Sequence, residues 1–146
     1  FRVGFATGPV HLIELMTKCV ENVYSAVATP SQYAALVAFD KGMEAMMAMK
    51  KEYKKRRDFL VSRINEMDKI SCIMPKGAFY VFANIKKTGL SAEEFAERLL
   101  EKEHVAVIPG SNFSKNASGY VRISYGTSME KIEDGLNRME RFLKSL

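Results

Sequence analysis

A chain of 146 residues with 47% hydrophobic and 27% charged side chains has the make-up of a folded globular protein, and one domain of that length buries roughly 70% of the surface its unfolded chain exposes. Its longest apolar runs fall well short of the ~20 residues a membrane span needs, and no basic-then-apolar leader opens it, so the expected location is cytoplasmic. The formal charge of +5 is concentrated in Lys50-Lys51-Glu52-Tyr53-Lys54-Lys55-Arg56-Arg57, which reads first as a solvated helix face, with nucleic acid or an acidic partner as the alternative.

Cys19 and Cys72 lie far apart among apolar neighbours, which predicts reduced core thiols rather than a disulfide. Neither His11 nor His104 stands in a convincing metal-ligand pattern of Cys, Asp or Glu, so no metal is expected. The sequence opens on Phe1 within an apolar phrase, as a piece of a longer chain would. Phe1 to Pro9 is predicted as a short strand, interrupted by Gly4 and ended by Gly8-Pro9.

Leu12, Leu15, Met16, Cys19 and Val23 recur at helical spacing and predict a helix over His11 to Val23, broken at Tyr24 to Ala28. Thr29-Pro30-Ser31-Gln32 predicts a second start, with Thr29 as N-cap, Pro30 at the first helical position and Gln32 completing a capping box. Gly42 is the expected weak point before a long helix from Met43 to Met67, whose stripe is Tyr53, Leu60, Ile64 and Met67. Met43, Met46, Met47 and Met49 are expected as adaptable core filler.

Ile70 to Met74 reads as a short strand, Pro75-Lys76-Gly77 as a turn, and Ala78 to Ile85 as a strong, mostly buried strand. Ser91-Ala92-Glu93-Glu94 is a capping box opening a helix with Phe95, Leu99 and Leu100 inward, and Thr127 to Glu130 is a third box. The last helix buries Ile132, Leu136, Met139 and Leu143. Between these helices lie strands around Val107 and over Tyr120 to Tyr125. The predicted fold is α/β (α+β): a small mixed or antiparallel sheet covered by helices and preceded by long helices.

One cation stands in the middle of the strand Tyr120-Val121-Arg122-Ile123-Ser124-Tyr125-Gly126. Alternation puts Val121, Ile123 and Tyr125 on one face and Tyr120, Arg122 and Ser124 on the other. An arginine there is costly to bury unpaired, so it reaches solvent or faces an anion.

Three phrases carry a resemblance to a known family. They are Phe1-Arg2-Val3-Gly4-Phe5-Ala6-Thr7-Gly8-Pro9, then Pro75-Lys76-Gly77-Ala78-Phe79-Tyr80, then Val105 to Phe113 followed by the Arg122 strand and Thr127-Ser128-Met129-Glu130. Together they resemble class I/II aminotransferases of fold type I, the aspartate aminotransferase-like enzymes that depend on pyridoxal 5'-phosphate. The phrase Tyr53 to Asp58 resembles the family's helix between large and small domains.

The resemblance implies that Arg122 grips the α-carboxylate of an amino-acid substrate, a task suited to a guanidinium that makes two parallel charge-assisted bonds. It implies that Arg2 binds the cofactor phosphate, that Gly77 lets the backbone turn beside the substrate, and that Phe79 is a candidate aromatic wall, with core packing as an equal alternative for Phe79. It assigns no catalytic residue here, because the family's Schiff-base lysine lies upstream of Phe1. The covered part is then about the last third of such an enzyme, inactive alone. Residues 1–30 would be a remnant of the large-domain edge and helix, and residues 31–146 the C-terminal small domain with the long interdomain helix. Substrates would be an amino acid and a 2-oxo acid, and the whole enzyme a homodimer. Carbon-sulfur lyases, cyclopropane-forming synthases and cofactor-binding regulators share the architecture, so the reaction stays open among them.

Overall fold

The computed structural model describes residues 2–146, and Phe1 lies outside the described residues. They divide between Met49 and Lys50 into two units. In the first unit, residues 2–9 form no strand, which corrects the predicted one. A strand is stabilised by a paired neighbour, and the strands of this chain pair with one another further along. Helix α1 (Val10–Val23) and helix α2 (Thr29–Lys41) follow. The start of α2 differs from the predicted box: the cap is Ala28, no side chain caps the helix, and the Gln32 amide donates to the Val27 carbonyl at 2.8 Å. Thr29 is already helical, so its hydroxyl is not placed as an N-cap acceptor.

Gly42 separates α2 from α3 (Met43–Glu66), yet its N–H still donates to Ala38 O at 2.9 Å. A Cβ at Gly42 would stand 2.3 Å from that same carbonyl oxygen, so the glycine permits a close approach that any other residue would open. Met43, Met46, Met47 and Met49 are exposed rather than core filler, and so is Cys19. No residue of α1 or α2 is buried.

The second unit holds the core. Leu60, Val61 and Ile64 of α3 are buried, with Met67 just beyond, while Tyr53 packs at the edge. Four strands form an antiparallel sheet in the order β1-β2-β4-β3: β1 (Ser71–Cys72), β2 (Tyr80–Asn84), β3 (Ile108–Pro109) and β4 (Tyr120–Ser124). Strand β1 is shorter than predicted because Asn65 of α3 takes both backbone groups of Cys72, accepting from its N–H at 2.9 Å and donating to its carbonyl at 3.0 Å. Burial pushes the half-buried Cys72 thiol up to about 11.

Helices α4 (Ala92–Glu103) and α5 (Met129–Lys144) complete the layer. Ser91 caps α4 as predicted, accepting from Glu94 N–H at 3.1 Å. At α5 the cap is Ser128, one residue later than predicted, accepting from Lys131 N–H at 3.4 Å. Phe95 and Leu99 of α4 join Ile132, Leu136, Met139, Phe142 and Leu143 of α5 in the core, but Leu100 is half exposed. Leu100 follows Leu99 directly, and adjacent helical positions lie 100° apart and do not share a face.

Strand β2 corrects the mostly buried reading in the same way. Val81 and Ala83 face the core, whereas Tyr80, Phe82 and Asn84 do not. The helices therefore cover one face of the sheet, and the other is open.

Candidate functional site

Arg122 lies on that open face. Register places it opposite Phe82 of β2 and Ile108 of β3, while Val121, one residue away, is fully buried. Its Cζ sits 4.3 Å from the centre of the Tyr80 ring and 4.7 Å from that of Phe113, over the face of each. The attraction of each such pair is about 0.5–1 kcal/mol when exposed and ~2 or more when desolvated.

Phe113 arrives from the loop after β3. A one-turn helix, Gly110–Asn112, closes on itself when Phe113 N–H donates to Gly110 O at 2.9 Å. A Cβ at the buried Gly110 would meet Ala117 O at 2.3 Å and Tyr120 O at 2.7 Å, so the loop is pressed onto the backbone entering β4. Ser111 ties it from the other side by donating to Glu93 of α4, a bond that holds the Glu93 carboxyl below its ordinary pKa. The Phe113 ring meets Phe82 edge-on at 5.7 Å.

The chain has eight arginines. Six are spoken for: Arg56 by Glu52, Arg57 by Asp58, Arg63 by Glu140, Arg98 by Glu94, Arg138 by Asp134 and Arg141 by Glu103. Among the described residues, Arg2 and Arg122 alone have no carboxylate partner. Both are residues for which the family resemblance implies an anion. Within the basic block, Lys54 pairs with Asp58 at 2.6 Å and Arg57 donates to the Pro75 carbonyl at 3.1 Å, so part of its charge is used inside the fold.

Phe79 is 42% exposed, which rules out a fully buried packing role. Its ring lies 4.4 Å from Tyr80 and 6.1 Å from Tyr53, and Tyr80 thus links it to Arg122. The turn before it departs from expectation. Ala78, not Gly77, takes the left-handed conformation, with φ +60°. That costs a residue with a Cβ roughly 1–2 kcal/mol. Tyr125, from the end of β4, holds the turn: its hydroxyl donates to Ala78 O at 2.9 Å and its N–H to Phe79 O at 2.9 Å. Burial raises the Tyr125 pKa above its ordinary 10.0, which keeps the phenol a donor.

Arg2 belongs to the first unit. It is exposed, adopts φ +59° and has a guanidinium without an ion pair among the described residues, so its donors fit an external phosphate. It offers a single cation, and the remaining ligands of any bound cofactor would come from elsewhere. Among the described residues no three His, Cys, Asp or Glu cluster as metal ligands would, and no helix is long and apolar enough to cross a membrane.

Sequence reasoning missed Tyr80, Phe113 and Tyr125 as parts of this arrangement. All three stood inside phrases already singled out, but Tyr80 comes to the guanidinium only through cross-strand pairing and Phe113 only through the fold of the loop after β3.

A profile of aminotransferase class I and II matches residues 1–139. An aspartate aminotransferase of Pyrococcus horikoshii is 46% identical over 146 residues, covering 99% of this chain and 37% of that protein. Aromatic-amino-acid aminotransferase 2 of Thermococcus litoralis is 41% identical over 99% of this chain and 37% of its own length. The crystal structure of an aromatic aminotransferase from Pyrococcus horikoshii superimposes with a TM-score of 0.87 at 43% identity, covering 95% of this chain and 37% of that one. The chain thus spans somewhat more than a third of the length of these relatives, and its helix-covered antiparallel sheet corresponds to their carboxyl-terminal domain. It belongs to the aminotransferase class I and II family.

Proposed function

We propose that the chain is the carboxyl-terminal part of a pyridoxal-phosphate-dependent enzyme that moves the amino group of an α-amino acid to a 2-oxo acid, and that Arg122 binds the substrate carboxylate. The observation that carries this reading is the guanidinium of Arg122, free of any carboxylate of its own on an open sheet face. An internal ion pair would have to be broken before a substrate could bind, whereas Arg122 is ready. A carboxylate held by both N–H donors of its edge is fixed in orientation as well as in charge, and that orientation decides which bond at Cα stands ready to break. Phe79, exposed beside Tyr80, forms an aromatic wall for the substrate side chain.

Arg2 anchors the cofactor phosphate. Pyridoxal phosphate, when bound, supplies the electron sink for chemistry at Cα. The lysine that would hold it covalently and carry the proton is not assigned to any residue of this sequence, so the chain alone is inactive. Residues 1–30 belong with the large domain and residues 31–146 with the small one. The whole enzyme is a cytoplasmic homodimer.

The test is amino transfer by the full-length protein loaded with cofactor. A panel of amino acids, among them aspartate and the aromatic ones that relatives are named for, is offered with 2-oxoglutarate, and the product 2-oxo acid is followed. Turnover with one or more donors is the expected result. Release of sulfide and ammonia from a sulfur amino acid, without amination of 2-oxoglutarate, would place the enzyme among the lyases of the same architecture, and binding of amino acids with no turnover would place it among the regulators.

A further inference from the structure

We infer that Tyr80 and Phe113 are positioning residues that hold the Arg122 guanidinium so that its N–H edge, rather than its flat surface, meets the substrate carboxylate. The inference rests on the carboxylate role proposed for Arg122 and adds how that role is enforced.

A guanidinium has two kinds of surface. Its edge carries the donors that match a carboxylate, and its flat surface stacks on aromatic rings. Arg122 places its Cζ over two ring faces, at 4.3 Å and 4.7 Å, and no side-chain acceptor among the described residues claims its edge. The long arginine side chain would otherwise sample many rotamers, and fixing them at the moment of binding weakens affinity. Two rings supplied by the fold remove most of that cost beforehand.

The rings come from independent places. Tyr80 opens β2, next to Phe79, and Phe113 ends the loop that Gly110 and the Ser111–Glu93 bond hold down. Neither belongs to the buried core cluster, and Phe113 is 50% exposed. Large rings left this open on one cation are poorly accounted for by packing alone.

The experiment uses the full-length enzyme with Tyr80→Leu, Phe113→Leu and Arg122→Gln, singly and combined. Propionate serves as a carboxylate that cannot react, and its dissociation constant is measured beside kcat and KM for the amino donor. Each leucine variant is expected to weaken propionate about threefold to tenfold, the range set by cation–π energies. KM should rise more than kcat falls, with the thermal midpoint lowered by a few degrees at most. With Gln at position 122, adding either leucine change should alter propionate binding less than twofold. Phe113→Tyr, which keeps a ring face, should bind as wild type, and pentafluorophenylalanine at position 113 should weaken binding without changing shape.

Unchanged propionate affinity in both leucine variants of an enzyme that Arg122→Gln does weaken would overturn the inference while leaving the role of Arg122 intact. Equal weakening by the leucine changes with Gln at 122 would also overturn it, because the rings would then act on the ligand directly. Unchanged affinity on Arg122→Gln itself would remove the carboxylate role and the inference together.

Discussion

Val121 and Arg122 are neighbours on one strand, yet they face two different environments. The Val121 face is sealed by α3, α4 and α5 and holds nearly every buried side chain of the second unit. The Arg122 face carries Tyr80, Phe82 and Phe113, all partly open, around one cation. What the contrast teaches is that a strand's period of two separates the residues that hold the fold from those we propose to bind substrate, so each set can be altered with little effect on the other.

The largest effect is expected on the sealed face. Phe95 is fully buried against Phe142, with ring centres 5.4 Å apart, and Phe95→Ala should destabilise the protein by about 3–5 kcal/mol in denaturant unfolding. A loss under 1 kcal/mol would mean that this face is not the main source of stability.

Gly110→Ala alters the loop that carries Phe113. The added methyl clashes with backbone oxygens at 2.3 Å and 2.7 Å, which cannot swing aside as a side chain could. A cost of about 1–3 kcal/mol is expected, together with weaker carboxylate binding because Phe113 moves with the loop. Next comes Tyr125→Phe, which removes the hydroxyl donor to Ala78 O and leaves the strained turn held only by the Tyr125 N–H to Phe79 O. A loss of about 1 kcal/mol in thermal unfolding is expected.

The smallest effects belong to the outer ion pairs. Arg141→Ala breaks a 2.8 Å pair with Glu103, but the arginine is 61% exposed, so under ~1 kcal/mol should be lost. Glu140 sharpens the point through pH. Hydrogen bonds from Lys144 and Arg63 hold its carboxyl below the ordinary 4.5, so its contribution is present above that pH and fades as pH falls through the lower folded value. Glu140→Gln should therefore make the acid limb of the stability profile shallower, and an unchanged limb would show that the pair does not stabilise the fold.

The helices and the core stripe were legible in the sequence because apolar periodicity and Ser91 capping are local signals. The cap at α5 slipped by one residue because Thr127 and Ser128 are chemically alike and adjacent. Strand β2 read as mostly buried because Phe79, Tyr80 and Phe82 are hydrophobic by composition, and only register tells which of them faces the helices. The methionines of α3 failed for a similar reason: helical spacing marks a face but not whether anything covers it. Arg122 itself was legible, since a lone cation in a β-branched strand needs an explanation. Its ring partners come from β2 and from a loop that ends seven residues before β4 begins, a distance in sequence that no local pattern spans.

The central claim is that Arg122 is kept free of any internal carboxylate so that its N–H edge can bind a substrate carboxylate, and that its ring contacts add only modestly to the fold. Its most direct test is the propionate dissociation constant of the full-length Arg122→Gln enzyme, read beside its thermal midpoint. The account predicts a loss of about 1.5–3 kcal/mol in binding, the range for hydrogen bonds to charged groups, with the midpoint falling by no more than the loss of two partly exposed ring contacts allows, a few degrees at most. Unchanged affinity, or a fall in the midpoint well beyond what those two ring contacts account for, would contradict the claim and return Arg122 to the structural side of the sheet.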